Sequence, residues 1–98
     1  MKGTLMKELI FVSGDNCSAS EEVQEKVDLF SQQHPEVSII RLRAGQDEDQ
    51  FAKLSDGWRF SATPAFTAKI DGVITDKHQG KLCEVRLAKM FAGEDSEN

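Results

Sequence analysis

The sequence predicts an α/β fold, a four-stranded mixed sheet in β-α-β-α-β-β-α order with helices on both faces. Three observations predict it. The continuous apolar run Leu9-Ile10-Phe11-Val12 ends abruptly at Ser13-Gly14-Asp15-Asn16, as a buried central strand followed by a loop does. Strand-like and helix-like segments then alternate through the first half of the chain, the pattern of a crossover unit. Near the end, Asp71-Gly72 separates two β-prone runs, a strong two-residue hairpin signal.

Each element follows from its residues. After the first strand, Ser18-Ala19-Ser20-Glu21 fits a capping box, with Ser18 as cap and Glu21 its partner three residues on. Val23, Val27 and Phe30 then share one helical face, and Glu22 and Lys26 are spaced to pair on the other. Pro35 stops this helix at about His34. Val37 to Leu42 is rich in β-branched residues and reads as the second strand. Gln46 to Asp49 starts a polar helix whose short apolar face is Phe51 and Leu54, and Asp56-Gly57 ends it. Ala65 to Ile70 and Val73 to Lys77 form the hairpin. After Gly80, a last amphipathic helix carries Leu82, Val85, Ala88, Met90 and Phe91.

The order has a topological consequence. Two strands joined by a crossover helix should be parallel with a right-handed connection, whereas the last two are antiparallel. Function in such a sheet collects at the carboxyl ends of the parallel strands, and Gly14 to Ser20 leaves the first strand there.

Composition narrows the function. At 98 residues the chain fits one domain, residues 1–92, followed by an acidic frayed tail, 93–98. The net charge of −5 comes without any basic stripe, which argues against nucleic acid as a partner. No apolar run approaches the ~20 residues that cross a bilayer, and Leu9 to Val12 is too short for a signal segment. A monomer in the cytoplasm is the expectation. Two cysteines far apart make neither a disulfide framework nor a zinc pattern. His34 and His78 stand alone, as ordinary surface or packing histidines do.

The chemistry centres on Cys17. A free thiol has a pKa near ~8.5, and a helix N-terminus favours the thiolate through its unsatisfied N–H groups and dipole. Ser20 follows one helical turn later, where its hydroxyl could donate to the sulfur. A plain loop cysteine beside a serine-rich cap would have the same local sequence. The second half of the chain bears on this choice, because Thr63-Pro64 leads directly into a β-prone run. Proline in such a position is often used as a cis bond in a tight turn.

Cys17, Thr63-Pro64 and the glycines at 72 and 80 together resemble the thioredoxin family. That family places a nucleophilic cysteine at a helix start, facing a loop that ends in a cis-proline. The resemblance covers roughly residues 7 to 92, with Phe60 at the apolar position that precedes the family's proline. The motif here is Cys-x-x-Ser, as in monothiol glutaredoxins and some disulfide-isomerase-like domains. The resemblance implies a thiol–disulfide oxidoreductase that forms mixed disulfides through Cys17 with Ser20 in support. It also implies a substrate-binding edge at Thr63, Pro64 and Asn16. The partner would be a protein disulfide or thiol.

Departures from the family pattern are equally visible. Asn16 stands where thioredoxins have an aromatic residue, and the first strand lacks their buried acid. No resolving cysteine sits at position 20, so a mixed disulfide must be released by another thiol. Glutathione is one source, although Asp15 would repel its carboxylates and only Lys81 offsets that charge. No other cofactor is expected, and no metal. Cys83 reads first as a small core residue, with a resolving role as the alternative. Trp58 and Phe60 read as core packing leading into Thr63-Pro64. The remaining alternative is a non-catalytic protein-binding module that keeps the fold and a degenerate site.

Overall fold

The computed structural model describes residues 6–14, 18–82 and 84–91. Its elements are β1 (Lys7–Ser13), α1 (Ser18–Gln33), β2 (Val37–Arg43), α2 (Glu48–Leu54), β3 (Ala65–Ile70), β4 (Val73–Gln79) and α3 (Glu84–Lys89). The strand order is β2-β1-β3-β4, with β1 parallel to β2 and antiparallel to β3. The mixed α/β sheet and its element order therefore match the sequence expectation.

β1 is central because both of its faces are apolar. Leu9 and Phe11 join Val23, Val27, Phe30, Phe66, Leu87 and Met90 in a core beneath α1 and α3. Ile10 and Val12 point the other way, into a second core with Leu42, Phe51 and Ala65. Stacking of Phe11 on Phe66, with centroids 5.1 Å apart, ties the two central strands on the larger core's face. The second core is completed by rings, with Trp58 tilted and Phe60 edge-on against Phe51. Trp58 and Phe60 thus pack as the sequence suggested.

Several local expectations are corrected. Ser18 is the first helical residue of α1 rather than its cap. The second helix starts at Glu48, not Gln46. The carboxylates of Asp47 and Glu48 accept the backbone N–H groups of Arg43 and Gly45, so they hold the preceding turn instead of extending the helix. Val85 is 63% exposed and Ala88 is exposed too, and among the described residues after Gly80 the buried ones are Leu82, Leu87 and Met90. Val85 stands two residues from Leu87, which on a helix turns it well away from the buried face. Finally, Glu22 pairs with Lys81 across the molecule at 3.0 Å, while Lys26 on its own helix adds a smaller attraction of charge.

The hairpin carries a β-bulge. Asp71 and Gly72 both adopt positive φ, 53° and 84°, as a tight two-residue turn of this hand requires. Pairing starts at Ile70–Val73 and Lys69–Ile74, then shifts so that Ala68 faces Asp76. Thr75 is the extra residue. Its hydroxyl donates to the carbonyl of Met90 at 2.7 Å, so the bulge is pinned to the end of α3.

Candidate functional site

Strand register gathers the candidate residues at one end of the sheet. Val12 lies opposite both Leu42 and Ala65, and Ala65 lies opposite Gln79. The exits of β1, β2 and β4 therefore meet the entry of β3 at a single edge. Gly14, Thr63-Pro64 and Gln79-Gly80 all follow from that register. This is the carboxyl end of the parallel pair, where an open α/β sheet places its ligands.

Ser20 is buried in the first turns of α1, 2% exposed. Its hydroxyl oxygen accepts the N–H of Gly14 at 3.1 Å. The two residues that bracket Asp15, Asn16 and Cys17 are thereby bonded across the start of the helix. Asn16, Cys17 and Cys83 themselves lie outside the described residues, as does the acidic segment 93–98.

Pro64 is buried, and the Thr63–Pro64 peptide bond is cis. The Pro64 carbonyl accepts the N–H of Gly80 at 2.7 Å, which joins the start of β3 to the residue leaving β4. Gly80 holds φ at 95° to do so, a conformation that side chains rarely adopt. Just upstream, the Gln79 carboxamide oxygen accepts three donors from one loop, namely the N–H and hydroxyl of Ser61 and the N–H of Ala62.

A cavity of about 500 Å³ opens beside this edge, between α1 and the ends of β1 and β2. Ser13, Gly14, Ser20, Gln24 and Arg43 contribute to its wall. Arg41 also reaches it while pairing with Asp28 at 2.6 Å. Across the helix start, Lys81 holds the Glu22 carboxylate in its ionised form, by hydrogen bond first and by charge second, and lowers its pKa. Lys81, the cation that offsets Asp15 in the glutathione alternative, is thus engaged within the protein.

The His78 Nε2 lies 3.0 Å from the carbonyl of Lys81 and, since a carbonyl only accepts, is the donor in this contact. His34 leans on Phe30 with centroids 4.6 Å apart and reaches Glu36. No cluster of three metal-ligating side chains occurs among the described residues. Nor is any helix among them long and apolar enough to cross a membrane.

Sequence reasoning missed Gln79, Gln24 and the two arginines of the cavity. Gln79 was hidden by the bulge. Continuing the Ile70–Val73 pairing without interruption would set His78, not Gln79, opposite Ala65. Arg41 and Arg43 alternate along β2 as exposed charges do on any edge strand, so nothing in their spacing marked a cavity.

No protein-family model matches the chain. A disulfide bond formation protein of Brevibacillus choshinensis is 26% identical over 83 residues, covering 85% of this chain and 69% of that one. Among solved structures, thioredoxin of Fasciola hepatica superposes with a TM-score of 0.72 at 23% identity, over 88% of this chain and 78% of its own. The malaria parasite's thioredoxin-2 gives a TM-score of 0.76 at 9% identity, over 93% and 85%. The fold of this chain is thioredoxin-like.

Proposed function

We propose that the protein is a thiol–disulfide oxidoreductase of monothiol type, acting through Cys17. The observation that supports this most directly is the bond between Gly14 and buried Ser20, which joins the end of β1 to the first turns of α1, three residues either side of Cys17 in sequence. The strand register supports it further, since the exit of β1 lies at the same sheet edge as Thr63-Pro64.

The chemistry is a pair of exchanges. The Cys17 thiolate attacks one sulfur of a substrate disulfide; that S–S bond breaks, a mixed disulfide forms, and the second sulfur leaves as thiolate. A second thiolate then attacks the substrate sulfur of the mixed disulfide, forms a new disulfide with it and returns Cys17 as thiolate. Ser20 and the N–H groups at the start of α1 favour the thiolate that begins each cycle. Thr63 and Pro64, with Asn16, hold the substrate chain as a short added strand. The substrate is a protein disulfide, and a cytosolic setting keeps the attacking thiol reduced.

Release of the mixed disulfide falls to a partner thiol. Cys83 is a second source, favoured by one contact. Its thiolate would attack the Cys17 sulfur instead, forming a Cys17–Cys83 disulfide and releasing the substrate as thiolate, and a further thiol would then reduce the bridge. Lys81, two residues before Cys83, meets Glu22, five residues after Cys17. A bridge between the two cysteines needs their Cα atoms within ~7 Å.

Alkylation of both cysteines, followed against pH by peptide mass spectrometry, tests this. Cys17 should react well below the ~8.5 of a free thiol. An ordinary pH dependence at Cys17 would instead assign the fold a binding role without thiol chemistry. Peptide mapping without reductant reports on Cys83, which resolves the mixed disulfide only if a Cys17–Cys83 bridge forms after turnover.

A further inference from the structure

We infer that Gln79 is a positioning residue that latches the loop before Pro64 and so sets how the site accepts an extended peptide. Three donors of Ser61 and Ala62 converge on one carboxamide oxygen. One residue later, the Gly80 N–H takes the Pro64 carbonyl. The end of β4 therefore holds the 61–64 segment at both its start and its finish.

Successive N–H groups aimed at one point form a small pocket of positive potential, which an oxygen acceptor fills. Both Ser61 and Ala62 are exposed. Without the carboxamide their amides would turn to water and the loop would lose its fixed course into Thr63-Pro64. A segment of few buried contacts keeps one conformation only through bonds of this kind.

The latch depends on the bulge. Thr75, pinned by the Met90 carbonyl, shifts the hairpin by one residue and brings Gln79 opposite Ala65. In an unshifted ladder the same side chain would fall on the other face of the sheet. The position of α3 thus fixes the register that delivers the latch to the loop.

The consequence for substrates rests on the function proposed above. A peptide adding as a strand at Thr63-Pro64 needs the preceding backbone held in place, whereas a small disulfide needs only the thiolate. Gln79 accordingly separates extended peptide disulfides from small ones.

Two variants and two readouts test this. Gln79→Leu removes the acceptor at similar size; Gln79→Glu keeps an oxygen at the same place. In amide hydrogen exchange on the full chain, Ser61 and Ala62 should exchange at least ~10-fold faster in Gln79→Leu, with Phe66 unchanged and Gln79→Glu like the wild type. Unchanged protection at Ser61 and Ala62, or a loss spread through β3, would overturn the latch. In kinetics, Gln79→Leu should raise KM for a short uncharged peptide disulfide several-fold and leave kcat, reaction with hydroxyethyl disulfide and Cys17 alkylation unaltered, with rescue by Gln79→Glu. Equal loss with both disulfides would overturn the selectivity. A wild-type Cys17 that attacks neither disulfide would remove the proposed activity and the selectivity together, while the exchange data would still decide the latch.

Discussion

The hydroxyls of Ser55 and Thr67 lie 2.8 Å apart in the interior, both residues fully buried. Ser55 ends α2, and Thr67 sits mid-strand in β3 on the face that α2 covers. Just beyond it, the Lys69 ammonium donates to the Leu54 carbonyl at 2.9 Å. The last turn of α2 is therefore bound to the sheet by polar side chains as well as by the apolar packing of Phe51 and Leu54. Removing one hydroxyl leaves the other buried without this partner, so Thr67→Val should cost about 1–3 kcal/mol. The double variant Ser55→Ala/Thr67→Val should cost less than the two single changes added together. A double-mutant cycle by urea unfolding measures this, and strict additivity would contradict it.

The order of elements was legible because both periodicities are clean along this chain. β1 reads as a buried strand from Leu9 to Val12, and Val23, Val27 and Phe30 mark α1 at helical spacing. Side-chain bonding across elements was not legible. Ser55 and Thr67 look like a helix-end serine and an unremarkable strand threonine, and only the packing of α2 brings them together.

Phe66 tests the larger core. It is fully buried, stacks on Phe11 and tilts against His78 at 6.1 Å. Phe66→Ala should lower stability by about 3–5 kcal/mol, through lost transfer energy and the cavity left beneath α1 and α3. Because β3 enters directly from Pro64, the same variant should also quicken amide exchange at Gly80, whose N–H bonds the Pro64 carbonyl. Chemical denaturation with site-resolved exchange reads both effects.

Thr75 explains why part of the candidate site was hidden. A two-residue Asp71-Gly72 turn predicts one register for the whole hairpin, yet the bulge changes it within four residues. The cause lies in α3, remote in sequence, because the Met90 carbonyl binds the bulged residue's hydroxyl. Thr75→Val keeps the shape and removes the donor. We expect a stability loss of about 1–2 kcal/mol and faster exchange at Ser61 and Ala62, since the register that aims Gln79 is loosened. Exchange confined to α3, with the loop amides unaffected, would show that the bulge holds its register without this bond.

The ion pair of Glu22 with Lys81 makes a prediction about acid. Both groups are exposed, and the ammonium at 3.0 Å lowers the Glu22 pKa by hydrogen bond and by charge. A carboxyl whose pKa is lower in the folded state than in the unfolded chain stabilises the fold above its unfolded pKa. That contribution fades as pH falls through the folded value. Its loss should therefore come on the acid side of the ordinary glutamate range, and the pair should make no pH-dependent contribution at neutrality. An NMR titration of the Glu22 side chain should find its midpoint below that of an isolated glutamate. Lys81→Ala should return it to the ordinary range, and high salt should move it the same way, because exposed charges are screened. Lys81 joins the start of α1 to the segment leading into α3, so the same substitution should also change the alkylation rate of Cys83 if that contact orders its surroundings. A Glu22 midpoint indifferent to Lys81→Ala would show that the two side chains do not hold this contact in solution.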